Sequence, residues 1–112
     1  MIKVGVFYPN NPGSKFDMKY YLEKHIPMVQ QKVGPALKHV TVEQGVAGGT
    51  PGAPMTYRVI CHLSFDSVEA FQTALGANAP QIMGDIPNYT DIQPVVQISE
   101  VKMSAERASL QS

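Results

Sequence analysis

The order of strand-like and helix-like segments predicts a ferredoxin-like α+β fold, βαββαβ, with a four-stranded antiparallel sheet and both helices on one face. Three observations lead to this prediction: four β-branched or aromatic runs, a helical segment on each side of the central pair of runs, and a glycine- and proline-rich connection within that pair. The 112-residue length allows one domain, which we place at residues 1–103, followed by a disordered tail at 104–112.

The first strand and first helix are bounded by turn and capping residues. Ile2–Tyr8 is β-branched and aromatic and ends at the turn residues 9–13. Asp17 stands where a helix cap belongs, and Met18–Val33 reads as a helix that stops at Gly34 and Pro35. The sequence therefore predicts a β-α unit over the first third of the chain.

The second and third strands, Leu37–Val46 and Tyr57–Phe65, form a long hairpin around a flexible connection at 47–54. We predict the register from a cross-strand ion pair. It places Glu43 opposite Arg58, His39 opposite His62, and Val42 opposite Val59. On the third strand, this alternation directs Tyr57, Val59, Cys61, Leu63 and Phe65 toward the helices and Arg58, Ile60, His62 and Ser64 away from them.

The last third of the chain repeats the helix–strand order. Asp66 and Glu69 fit a capping box, so we expect the second helix to begin at Asp66. It is interrupted at 76–80, resumes over Gln81–Asp85, and is followed by a last strand over Ile92–Met103.

The first and last strands are apolar on both faces, yet two helices cover only one. Sheet-to-sheet homodimerisation is the simplest way to bury the other face. The alternative is that both faces look apolar only because inner strands are rich in valine.

Composition excludes several classes of protein. Nine basic and nine acidic residues give zero net charge, unlike a binder of nucleic acid or of anionic membranes. No apolar run is long enough to span a membrane, and the first residues show no secretion signal. The single Cys61 excludes an internal disulfide and favours a cytoplasmic location.

His25 is the strongest candidate for chemistry. It lies in the apolar stripe of the first helix with Tyr21 and Val29, where an unpaired imidazole would cost about 1–3 kcal/mol. Pro27 cannot donate to the carbonyl of Glu23 and is expected to kink the helix beside the ring. Burial would lower the pKa of His25, which suits a general base. The alternative is a core histidine with its hydrogen bonds satisfied.

Other candidates point less clearly to chemistry. His39 and His62 would be neighbours across the hairpin, but no third ligand accompanies them, so we predict no metal site. Cys61 should face apolar surroundings, which raise the pKa of a thiol and make a nucleophile improbable. Any of the tyrosines Tyr8, Tyr21, Tyr57 and Tyr89 that reaches a pocket beside His25 could orient a hydroxyl or carbonyl group of a ligand.

Three segments resemble the EthD family: Tyr20–Val29, Phe65–Phe71 and Ile82–Val101. The resemblance spans nearly all of residues 1–103 and implies a dimeric α+β barrel, in which two ferredoxin-like subunits pack sheet against sheet. The family takes its name from a protein linked to the degradation of ethyl tert-butyl ether. Its His-x-Pro position corresponds to His25. The resemblance also implies that some relatives carry a second histidine near the break in the second helix, where this chain has Ala77, Asn78 and Ala79. A two-histidine mechanism is then not expected here, and Asn78 could only form hydrogen bonds.

The resemblance and the residues together predict a cytoplasmic, homodimeric, cofactor-independent enzyme of isomerase, monooxygenase or lyase type. His25 would be the general acid/base, acting on a small apolar ring compound that carries oxygen. The predicted substrate-binding residues are Tyr21, Val29, Tyr57, Val59, Cys61, Phe71 and Asn78. Two alternatives remain: a carrier that binds a hydrophobic metabolite without turning it over, and a haem protein with His25 as axial ligand.

Overall fold

A computed structural model describes residues 1–106 and confirms the predicted α+β fold. The regular elements are β1 (Ile2–Pro9), α1 (Met18–Tyr20), a π-helical segment (Tyr21–His25), α2 (Ile26–Val33), β2 (His39–Gln44), β3 (Tyr57–Phe65), α3 (Val68–Gly76), α4 (Ala79–Gly84) and β4 (Val95–Glu100). Short 3-10 turns at Gly34–Ala36 and Ile86–Asn88 follow α2 and α4. The segments between residues 18 and 33 run on without a break, and we call them the long helix.

The four strands form one antiparallel sheet in the order β2-β3-β1-β4. This is the split arrangement expected of two βαβ-like halves. The two central strands, β1 and β3, hold most of the buried sheet residues, whereas all six residues of edge strand β4 are exposed.

The predicted hairpin register is wrong by two residues. Glu43 lies opposite Ile60, His39 opposite Ser64, and Val42 opposite Cys61. The guanidinium of Arg58 instead donates to the carbonyl of Ser14 at 2.6 Å and to Oδ1 of Asn10 at 3.2 Å. One exposed ion pair, worth about 0.2–1 kcal/mol, was too weak a criterion for register. Because the error is an even number of residues, the face assignment survives it along most of β3.

The ends of three predicted elements also differ from the structure. Ser67, not Asp66, caps α3, and its hydroxyl accepts a hydrogen bond from the amide of Ala70 at 3.0 Å. Strands β2 and β4 are shorter than predicted, since pairing begins at His39 and at Val95. Of the predicted tail, 104–106 have no regular structure and 107–112 lie outside the described residues.

The core lies between the sheet and the helices and has two parts. One part, the hydrocarbon cluster, contains Ile2, Val4, Val29, Val33, Phe65, Phe71 and Ile82. The other, the tyrosine cluster, contains Tyr8, Tyr21, Ile26, Val59, Cys61, Tyr89 and Ile92. Across residues 1–106, no helix has the length and apolar character needed to cross a bilayer.

Candidate functional site

A π-helical turn in the long helix positions the candidate histidine. The amide of Ile26 donates to the carbonyl of Tyr21, five residues back, so the helix carries one extra residue in this turn. Pro27 follows directly, and its missing N–H and bulky ring disfavour a regular α-helical turn here. The predicted disturbance beside His25 is thus present as a π turn. Tyr21 and His25 both point into the core, with their rings stacked at 5.4 Å.

A carboxylate holds His25 from the outer side. The ring is only 4% exposed, and its Nδ1 lies 2.9 Å from Oδ2 of Asp85, the residue that ends α4. The other oxygen of Asp85 accepts hydrogen bonds from the Tyr20 hydroxyl at 2.7 Å and from the Asn88 amide at 2.9 Å. Both oxygens of this carboxylate therefore accept hydrogen bonds from side chains, and the bond to Oδ2 fixes the orientation of the imidazole.

The pKa values of this pair favour a neutral ring beside an ionised carboxylate. Burial lowers the pKa of His25 below its usual value, and the hydrogen bond and charge of Asp85 offset this only in part. Partial burial raises the pKa of Asp85, but donors from Asn88, Tyr20 and His25 outweigh it and leave that pKa below its usual range. Nδ1 therefore carries the proton and donates to Asp85, while Nε2 keeps a free lone pair.

Two buried tyrosines face that lone pair. The Tyr89 hydroxyl lies 3.5 Å from Nε2 of His25, a long contact, and 2.7 Å from the Tyr8 hydroxyl. Tyr8 and Tyr89 are 1% and 3% exposed, and burial raises the pKa of both phenols. Both hydroxyls stay protonated near neutral pH. Nε2 therefore lies next to a hydrogen-bond donor but is held by it only weakly.

These groups form one end of a cavity of about 350 Å³ between the sheet and the helices. Its walls are mostly hydrocarbon and include residues of both core clusters, together with Met83, Pro94 and Val96. The polar groups facing it come from Tyr8, Tyr21, His25, Cys61, Tyr89 and Gln93. No lysine, arginine, aspartate or glutamate is among the lining residues, so the cavity is uncharged while His25 is neutral.

Five of the eight predicted site residues line this cavity: Tyr21, His25, Val29, Cys61 and Phe71. Tyr21 also has a raised pKa because it is buried, and burial raises the pKa of the Cys61 thiol to about 11, as predicted for apolar surroundings.

The other three predicted residues lie outside the lining. The register shifts between Tyr8 and Pro9, and the ring of Tyr57 packs 5.2 Å from Phe7, on the sheet face away from the helices. Val59 is buried within the tyrosine cluster. The Asn78 amide donates to the carbonyls of Lys32 and Ala74 and thereby ties α3 to the long helix. The prediction that these three contact a substrate therefore lacks support from their positions.

Sequence reasoning missed Asp85 and Tyr20, and it named Tyr89 only as one of four tyrosines that could reach a pocket beside His25. The rule that a buried histidine needs a hydrogen-bond partner indicates that such a partner exists but does not identify Asp85. The predicted contact of His39 with His62 is absent, since Ser64 and Thr41 are their respective partners. Residues 1–106 contain no cluster of three side chains that could hold a metal ion.

Comparisons with known proteins agree with this architecture. A family model described as the EthD domain matches residues 14–93. None of the curated proteins matches the chain. An EthD-like protein from Ralstonia eutropha JMP134 is 46% identical over 93% of this chain and 94% of that chain, with a TM-score of 0.88.

Two further solved structures resemble the chain in fold alone. One is an ethyl tert-butyl ether D (EthD) family protein from Bacillus halodurans C-125, 21% identical, covering 90% of this chain and 98% of that chain, with a TM-score of 0.62. The other is an Arabidopsis thaliana protein, 13% identical, covering 95% of this chain and 100% of that chain, with a TM-score of 0.67.

Proposed function

The chain belongs to the EthD family, and we propose that its cavity is an active site in which His25 transfers a proton to and from a small apolar ring compound. One observation supports this above all others. Asp85 fixes Nδ1 of His25 at 2.9 Å, and Nε2 faces an apolar cavity without a short hydrogen bond of its own. A neutral, oriented imidazole with a free lone pair is what a general base requires.

The cavity favours an uncharged ligand with one oxygen-bearing end. A carboxylate or phosphate would lose its hydration without meeting a cationic side chain, because no lysine or arginine lines the walls. At the polar end, the Tyr89 hydroxyl can donate a hydrogen bond to a ligand oxygen while Nε2 of His25 accepts a proton from the ligand. The hydrocarbon cluster provides the surface for the apolar body of the ring.

Proton abstraction at this site begins an isomerisation or an elimination, or an oxygenation in which dioxygen is the co-substrate and oxidant. When Nε2 takes a proton, the ring becomes a cation, and the Asp85 carboxylate stabilises that charge from the other side. The Tyr89 hydroxyl stabilises the negative charge that forms on the ligand oxygen. The proposed function is therefore a cofactor-independent enzyme, with His25 as the catalytic residue and Asp85 as its positioning residue.

Identification of the bound molecule tests this proposal. Native mass spectrometry of the purified protein, followed by product analysis, should reveal a neutral ring compound and a product formed from it. We expect His25→Gln to lower turnover by about 100-fold or more. Tyr57→Phe is the matched control, since Tyr57 lies outside the lining, and it should keep the activity. Recovery of the intact ligand alone, with no product, would instead identify a carrier.

We also infer that the protein forms a homodimer through the sheet face away from the helices. Phe7, Tyr57 and Ile60 lie on this face with Val95, which is 54% exposed, and no helix covers them. An apolar surface of this kind favours burial against a second copy. Light scattering should give twice the monomer mass for the natural chain and the monomer mass for Ile60→Lys. Glu69→Lys is the control: Glu69 is an exposed residue of α3, away from this sheet face, and the variant should remain dimeric.

A further inference from the structure

His25 and Asp85 lie in a wall between two separate concavities. His25 lines the 350 Å³ cavity, and Asp85 does not. Asp85 lines a shallower groove of about 280 Å³ on the outside of the protein, formed with Tyr20, Lys24, Met28, Lys32 and Gln81. We call this the outer groove. The two concavities share no lining residue, and the 2.9 Å hydrogen bond between His25 and Asp85 connects them.

Asp85 is more exposed to solvent than its hydrogen-bond partner His25. The side chain of His25 is 6% exposed, whereas that of Asp85 is 17% exposed. A ligand that fills the cavity separates Nε2 from bulk water, because the ring is reached from that side only through the cavity. The Asp85 side chain, which lines the outer groove, keeps its contact with solvent there.

The other hydrogen-bonding neighbour of the His25 ring, Tyr89, is buried in the core. Tyr89 donates toward Nε2 or toward the Tyr8 hydroxyl, and both tyrosines are almost fully buried. A proton that moved along this branch would stay in the core. Asp85 is therefore the one hydrogen-bonded neighbour of His25, among the described residues, that reaches solvent.

We propose that Asp85 carries protons between His25 and the water of the outer groove, so that the ligand and the proton reach His25 by separate routes. This inference rests on the proposed function of the cavity. It makes Asp85 a proton-transfer residue as well as a positioning residue, and it gives the outer groove a part in the reaction.

The proton moves from the ligand to solvent in three transfers. The ligand gives a proton to Nε2 of His25, and the imidazolium passes its Nδ1 proton to Oδ2 of Asp85. The carboxylic acid then releases this proton to a water molecule in the outer groove. The result is a ligand anion in the cavity, a hydronium ion in solvent, an ionised Asp85 and a neutral imidazole with its proton on Nε2. The reverse sequence returns a proton to the ligand.

The surroundings of Asp85 favour rapid release. The groups that face its carboxylate are the Tyr20 hydroxyl, the Asn88 amide and the His25 ring, all of them donors. Lys24 and Lys32 add positive charge to the same groove. The three donors stabilise the ionised carboxylate and lower the pKa of Asp85, so Asp85 holds a proton only in passing.

Proton exchange at His25 tests the route without knowledge of the substrate. The exchange rate of the Nδ1 proton with water is measured by NMR on histidine labelled with nitrogen-15, with and without saturating naphthalene, which has no exchangeable hydrogen. In the natural chain we expect naphthalene to change this rate by less than about twofold, because the outer groove stays open. With naphthalene bound, Asp85→Asn should slow exchange by about tenfold or more, since an amide cannot relay the proton.

Glu23→Gln is the matched control, because it removes an exposed carboxylate from the long helix, which carries His25. The Nδ1 proton of His25 in this variant should exchange at the same rate as in the natural chain. A tenfold slowing by naphthalene in the natural chain would overturn the inference, since the proton would then leave through the cavity. An unchanged rate in Asp85→Asn would overturn it too. If Asp85→Asn does not fold, the natural chain with and without naphthalene decides.

The two proposals fail in different ways. Shifts of resonances from cavity residues report whether naphthalene binds at all. Their absence would count against the cavity as a ligand site, and the rates of the natural chain and Asp85→Asn without naphthalene would then decide the proton route alone.

Discussion

The two parts of the core lie side by side under the same helices, but different forces hold them together. The hydrocarbon cluster around Phe65 and Phe71 is stabilised by burial and packing, which have little directional preference. The tyrosine cluster adds hydrogen bonds that fix particular atoms, such as the 2.7 Å bond between Tyr8 and Tyr89. The cavity borders both, so one part can receive the body of a ligand while the other handles its reactive atom.

The largest expected effect comes from removing a ring in the hydrocarbon cluster. Phe65 is 1% exposed and packs 5.2 Å from Phe71, so Phe65→Ala should lower the free energy of unfolding by about 3–5 kcal/mol. Urea denaturation measures this. The smaller change Phe65→Leu keeps most of the buried volume and should cost less. Equal losses in the two variants would show that packing is not what stabilises this cluster.

In the tyrosine cluster, the loss of one hydroxyl should have a smaller effect on stability and a specific effect on the site. Tyr89→Phe removes the bond to Tyr8 and should lower the free energy of unfolding by about 1–2 kcal/mol. It should also weaken binding of 2-naphthol, measured by calorimetry, but not that of naphthalene. Tyr57→Phe, on the other face, is the control. If both ligands lost affinity equally, Tyr89 would act through cavity shape rather than through its hydroxyl.

The cap of α3 tests how the hydrocarbon cluster depends on local structure. Phe71 sits on this helix, whose first turn is held by the Ser67 hydroxyl. Ser67→Ala should therefore lower the free energy of unfolding by about 1 kcal/mol. Asp66→Ala, one residue earlier, should change it by less than about 0.5 kcal/mol. A larger decrease in the free energy of unfolding for Asp66→Ala than for Ser67→Ala would support the capping box predicted from the sequence.

The last expected effect is a gradual change of stability with pH, and it comes from His25, whose ring packs against the tyrosine cluster. Because burial lowers the pKa of His25 below 6.5, the unfolded chain binds a proton at this residue more readily than the folded one. Stability from this residue is complete above about pH 6.5 and is lost as pH falls toward the folded-state pKa. Asp85, with a lowered pKa, adds a second loss only at more acidic pH, below its ordinary value of 3.8.

Thermal unfolding of the natural chain and His25→Gln, compared from about pH 8 to about pH 5, separates these contributions. The difference in melting temperature between the two proteins should narrow as pH falls, because only the natural chain must charge a buried imidazole. Val68→Ala, which changes an exposed side chain and no titratable group, serves as the control and should run parallel to the natural chain. Parallel curves for His25→Gln as well would mean that the imidazole is already charged or hydrated in the folded state.

The sequence alone determined the features that depend on neighbours along the chain. Turn residues and alternation placed β1, β3 and the long helix close to their observed ends, Asp17 was identified as a cap, and Pro27 marked the disturbance beside His25. Each of these signals lies within a few residues of its effect, because backbone hydrogen bonds and steric clashes act over one helical turn or one strand pair.

Only the tertiary structure decided which distant side chains meet. Asp85 lies 60 residues from His25, and Tyr89 lies 81 residues from Tyr8, so no spacing in the sequence predicts either contact. In the observed hairpin register, Arg58 is hydrogen-bonded to the β1–α1 connection and does not lie opposite Glu43, the ion-pair partner that its charge suggested. Apolar burial specifies which faces meet but tolerates many arrangements, whereas hydrogen bonds require particular atoms at particular distances. The packing of the helices on the sheet therefore settled the partners of His25.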